Sequence, residues 1–335
     1  MSLRLSLVGL SIGALLGLTA CESPPPRLQF TVDSVGSGFD SSPGDGECAT
    51  LAGECTINAA FEEAGEAELG VDITVPEGSY VAPWVVEGDV RVNWGDPRAV
   101  EWGGSVSVAA GSRLAIDGIS THHPTDLATS WGFEVHVLGE VQVHRSMVRR
   151  LSVEPGGVAV LDRSVVVNGT DGEAAVTNQG ILVAVRSSIL GYPGPGPVLD
   201  NASGTTHLRA TSVADMTVLV NGAPWGSGDA GTCSGGPTTS YGYVHAENAC
   251  APAAVGDTTG DAGVTSAVTA AFSGQIHTSF QLSLGGTSPL VDAIPLGDPL
   301  CDATATDLFG TPRGVDGDGD GVAGCDIGAI ERPTP

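Results

Sequence analysis

Three aspartates near the end of the chain alternate with glycine in the run Asp316-Gly317-Asp318-Gly319-Asp320-Gly321. A tight loop of this kind points several carboxylates at one hard cation, and calcium, which accepts irregular oxygen shells, is the cation such a loop suits. The run is not an EF-hand, because the bidentate glutamate that loop requires would fall at Ile327. Asp326 is the expected further ligand, with Asp302 and Asp307 as alternatives if a bridge from Cys301 to Cys325 brings them close. A solvated acidic turn held by that bridge is the competing account.

A second group with chemical potential is Arg145, Arg163 and Arg186, which recur near equivalent points of a repeat. Between Gly139 and Val213 six arginines face six acids, so the segment is neutral within a chain of net charge −26. Arg–acid pairs from one turn of the repeat to the next would relieve like-charge stacking, and this is the preferred account. The alternative is a binding stripe for acidic glycans. Catalytic signals are absent: glycoside chemistry needs paired carboxylates, whereas Asp117, Asp162 and His144 read as single turn or ladder residues. His122-His123, with Asp117 and Asp126 nearby, could ligate a transition metal, but no recognised ligand spacing links them. No catalytic residue is assigned, and a non-enzyme is expected.

The element that must position these residues is a repeat running from Gly88 to Val213. Gly88, Gly111, Gly139, Gly157, Gly180 and Gly204 recur every 18 to 28 residues, each followed by alternating apolar residues. The expected inward pairs are Val90/Val92, Leu114/Ile116, Val141/Val143, Val158/Val160, Ile181/Val183 and Thr206/Leu208. β-Branched residues with almost no helical period fit an all-β, right-handed parallel β-helix. Before it, Cys55 to Ala64 reads as a short helix, expected to cover the open end of the stack.

Every basic residue is an arginine, and 13 of them face 39 acids. Such a balance argues against nucleic acid or anionic membrane surfaces as partners and makes divalent cations the natural counter-charge. Apolar residues from Leu5 to Leu18, behind Arg4, form a stretch that reads as a secretory signal peptide. Six of the seven cysteines pair most simply as neighbours, Cys48 with Cys55, Cys233 with Cys250 and Cys301 with Cys325. Fifteen connectivities remain open on sequence alone.

Three segments resemble known families. Leu18-Thr19-Ala20-Cys21 resembles the lipobox of bacterial lipoproteins, which implies cleavage before Cys21, lipidation of its thiol and, with Glu22 following, delivery to the outer membrane. Cys55-Thr56-Ile57-Asn58-Ala59-Ala60 and the later Asp72-Ile73-Thr74-Val75-Pro76 are similar to the entry segment of bacterial β-helix proteins with a CSLREA domain, although the charged pair of that signature is missing. Thr287 to Glu331 resembles the C-terminal region of choice-of-anchor Q domain proteins.

The expected divisions are a signal peptide over 1–20, a lipid anchor with a Pro-rich spacer over 21–29, and an N-terminal cap with first strands over 30–87. The β-helix follows over 88–285 and an irregular, disulfide-closed, Asp/Gly-rich C-terminal cap over 286–335. The expected role is a monomeric cell-envelope module, structural, adhesive or glycan-binding, exposed at the cell surface. A periplasmic location is the alternative. So is a polysaccharide lyase or hydrolase whose cleft would lie between loops 120–132 and 191–200.

Overall fold

The structure, a computed structural model, describes residues 25–81, 84–94, 100–118, 133–168, 173–191, 196–215, 217–220, 223–225, 233–246, 250, 254–259, 261–262, 264–268 and 280–335. Cys21, His122, His123 and Asp126 lie outside them, as do most of the two loops named above.

The parallel β-helix expected from the repeat is the fold. Three long parallel sheets of nine, six and eight strands wrap one core. One rung shows the course of the chain. Glu140–His144 lies in the first sheet, Met147–Val148 in the second and Arg150–Val153 in the third, and Val158–Asp162 then returns to the first beside Glu140–His144. Inward residues stack in columns. Leu114, Val141, Ala159 and Leu182 are paired rung to rung and fully buried.

Two of the expected inward pairs have the wrong phase. Ala159 and Leu161 point inward in place of Val158 and Val160, and Leu182 and Ala184 in place of Ile181 and Val183, leaving Ile181 44% exposed. In a strand a shift of one residue exchanges the faces, and register with the neighbouring rung outweighs local hydrophobicity. Glycine position carries the correct phase. Gly88, Gly139, Gly157, Gly180 and Gly204 precede paired strands at one level of the first sheet, and the inward residue comes two places later. Gly111 falls one place early, and Ser112 occupies the column. Gly157 is required in its place because rungs touch there: a Cβ on it would run into the carbonyl oxygen of Val137.

Helix α1 (Ile57–Glu66) forms as expected. Thr56 caps it by accepting from the Ala59 amide at 3.1 Å, and Ile57, Ala60, Phe61 and Ala64 join the core beside the first strands, Leu28–Thr31 and Val71–Val75. The three neighbouring cysteine pairs are disulfides, Cys48–Cys55, Cys233–Cys250 and Cys301–Cys325.

The C-terminal segment is irregular and disulfide-closed, but it lies along the flank of the rod and not over its end. The second sheet turns Val148, Val166, Ile189 and Val213 into the central core and Met147, Val165, Leu190 and Ala214 outward. Leu290, Ile294, Leu308, Ile327 and Ile330 cover that outer face. The contact is close. Gly328, at φ +108°, lies where a Cβ would strike the hydroxyl of Ser188, which itself accepts from the Ala329 amide at 3.1 Å. Two buried faces explain why second-sheet strands read as continuous apolar runs such as Val165-Val166-Val167.

Candidate functional site

The arginines of the repeat occupy one corner, between the first and second sheets. Asp117, His144 and Asp162 are paired in register on successive rungs, so the residues after them, Gly118, Arg145 and Arg163, form a column that Arg186 and Ala210 continue. All five are left-handed, with φ of 82°, 44°, 50°, 49° and 48°. Non-glycine residues adopt this region at a penalty of about 1 kcal/mol each, and here it turns each rung from one sheet into the next. The residue that follows, Ser146, Ser164, Ser187 or Thr211, is buried and donates its hydroxyl to the carbonyl two residues back.

No local spacing brings Asp117, His144 and Asp162 together, and the structure joins them. Asp117 Oδ1 lies 3.1 Å from His144 Nδ1, and His144 Nε2 lies 3.2 Å from Asp162 Oδ2. Arg145 binds Asp117 at 2.8 Å, Arg186 binds Asp162 at 2.7 Å, and Arg163 reaches Asp162 at 3.4 Å and His144 Nε2 at 2.5 Å. Burial pushes the Asp162 carboxyl up, but the His144 hydrogen bond and the charges of Arg186 and Arg163 outweigh it and bring the group down to about 2. Burial raises Asp117 too, and bonds from His144 and Arg145 reverse that effect. Hydrogen bonds to Asp117 and then Asp162 lift His144 above its ordinary value, against burial.

Neutral His144 keeps its proton on Nδ1 for Asp117 and accepts from Arg163 at Nε2. Protonated His144 donates to both carboxylates. The cluster therefore holds three guanidiniums and two carboxylates, with an imidazole that gains charge in acid.

The acidic loop brings together a different trio from the one expected. Carboxylate oxygens of Asp292, Asp316 and Asp318 lie within 4.8 Å of one another. Asp292, left-handed at φ 53°, also accepts from the amides of Gly317, Asp318 and Gly324, and Asp316 accepts from Gly319 and Gly321. Three hard oxygen donors match the preference of calcium, with Asp292 Oδ2 already accepting two amides and Oδ1 one. Asp320 accepts from Val322 and stands outside the trio.

Asp326 does other work. It is buried, takes the amides of Asp292 and Arg332, and is pushed up to about 6 by burial. Asp307 likewise accepts from Phe309, Thr311 and Glu331, while Asp302 accepts from Thr304. Beside them Arg313 is buried against Glu331, Nε to Oε2 at 3.6 Å, and donates to the carbonyls of Gly328 and Asp326. Burial and the Asp326 charge raise Glu331 to about 7.

Comparison with protein-family models, curated proteins and solved structures finds no match to this chain. No helix among the described residues is long and apolar enough to cross a membrane.

Proposed function

We propose that this chain is a lipid-anchored outer-membrane module without catalytic activity, attached through Cys21, whose rod presents the arginine corner to acidic polysaccharide at the cell surface. The observation that carries the ligand class is the column of Arg145, Arg163 and Arg186. Its three cations exceed the two carboxylates that pair with them directly, on a chain of −26. Rungs about 4.8 Å apart offer that charge at regular intervals to a linear polyanion. The anchor rests on the segment Leu18 to Cys21.

Purified protein is expected to bind polygalacturonate and not a neutral glucan. The triple variant Arg145→Asn, Arg163→Asn, Arg186→Asn should lose that binding while keeping the circular-dichroism spectrum of the folded rod, because asparagine tolerates the left-handed corner. An intact protein that ignores uronate polymers would end the ligand assignment. For the anchor, labelled fatty acid should be incorporated into the wild type and not into Cys21→Ser, and protease added to intact cells should remove the rod.

The line Asp117, His144, Asp162 favours a second reading, a polysaccharide lyase or hydrolase on the same corner. Release of new chain ends from a uronate polymer, abolished in His144→Ala, would establish it over the binding module.

A further inference from the structure

A cavity of about 370 Å³ opens near the N-terminal strands of the rod, between α1, the segment from Phe39 to Pro43, and the strand Trp84–Val86. Its size falls within the range of small-molecule sites, about 300–1,000 Å³. The floor is aromatic: Phe61 and Trp84 are buried with ring centroids 5.3 Å apart. Asn58 fixes the floor by accepting from the Trp84 indole N–H and donating to the Ser37 carbonyl at 2.9 Å. Phe39, 64% exposed, stands on the outer wall. That wall is tied to the helix, since Glu62 accepts from the Asp40 amide at 2.8 Å and Glu63 from the amides of Gly44 and Gly46 at 2.5 Å.

The charged residues of the lining are all acids, Glu62, Glu66 and Glu87. Glu66 and Glu87 are exposed and make no ion pair with a described residue. They are not a metal site, because the one carboxylate trio that converges within 4.8 Å among the described residues is at Asp292, Asp316 and Asp318. Negative charges set apart around an apolar aromatic floor call for an extended ligand that carries several cations separated by methylenes. Ammonium groups would pair with the glutamates, while the methylenes lie against the apolar lining. The geometry points to a binding site for linear aliphatic polyamines. This site is independent of the arginine corner, and its failure would leave the polysaccharide reading intact.

Spermidine is the probe. Titration calorimetry of the full-length protein at physiological salt should show one saturable site per chain. Glu66→Gln/Glu87→Gln should weaken binding at least tenfold, and Trp84→Phe should weaken it to a lesser degree. A control with the same charge removed elsewhere, Glu154→Gln/Asp200→Asn, should bind as the wild type does, which separates a built site from general attraction to an acidic protein. The two glutamates make no hydrogen bond with a described residue, so their variants should melt with the wild type. Equal weakening in the control, or no saturable binding, would overturn the assignment. So would a pentalysine peptide that binds more tightly than spermidine through the same glutamates, because the occupant would then be a basic protein segment.

Discussion

At the corner of the rod and beneath its flank, the same residue types meet and ionise in opposite senses. Asp162 at the corner is held at about 2, whereas Asp326 and Glu331 under the flank are raised to about 6 and 7. Burial opposes the charge in both places. The difference is the number of cations. Repetition gives Asp162 a guanidinium from its own rung and one from the next, with His144 on the third side. The flank has no repeat, and among the described residues Arg313 is the cation paired with Glu331 and near Asp326 and Asp307. Periodicity thus supplies counter-ions automatically, while an irregular segment must hold its acids with backbone amides.

The sharpest break in this comparison is Arg313→Ala. It would strand Glu331 in a buried site and should destabilise the protein by about 4 kcal/mol in urea unfolding. Arg313→Met with Glu331→Gln should recover much of that loss.

Next comes pH. Asp326 and Glu331 bind protons more tightly in the folded chain than in the unfolded one, where carboxyls titrate near 4. Their contribution to stability is therefore complete in acid and declines as pH rises from about 4 through about 6 and 7. Stability should fall by on the order of 2 kcal/mol between pH 5 and pH 8, less so in Glu331→Gln. The corner contributes the opposite slope through Asp162, lost only as pH drops toward 2. Its partner His144, raised above 6.5, adds stability below that value that disappears as pH climbs through its own transition.

Calcium on Asp292, Asp316 and Asp318 should stabilise the flank by about 1 kcal/mol at a few times its dissociation constant. Asp292→Asn should abolish the difference in melting between calcium and chelator. The smallest effect is expected from Arg163→Asn, below about 1 kcal/mol, because partly exposed ion pairs contribute little and asparagine suits the corner. A loss as large as that of Arg313→Ala would erase the distinction between the two regions.

Features that recur were legible in the sequence. Glycine spacing reveals the rungs, and the spacing of Arg145, Arg163 and Arg186 follows it closely enough to put them on near-equivalent points. The phase of two strands was not legible, because Val158 and Val160 are more hydrophobic than Ala159, and only contact with Val141 on the preceding rung decides between them. A count of two from Gly157 and from Gly180 finds it. The left-handed corner had a signal as well, the repeated Arg-Ser pairs at 145, 163 and 186. Asp292 joined the acidic trio through a chain reversal that no spacing announces. Nor did any local pattern place the C-terminal segment against the second sheet, although the unbroken apolar run Val165-Val166-Val167 already implied two covered faces.

That flank imposes an order of events during synthesis. Ala329 bonds to Ser188, 141 residues earlier, so the outer face of the second sheet stays bare until the segment around Ala329 has left the ribosome. Rungs can stack as they emerge, each on the one before it. Met147, Val165 and Leu190 meanwhile form an adhesive strip on a half-made protein, a hazard that a holding chaperone, or slow onward passage of the chain, would have to cover.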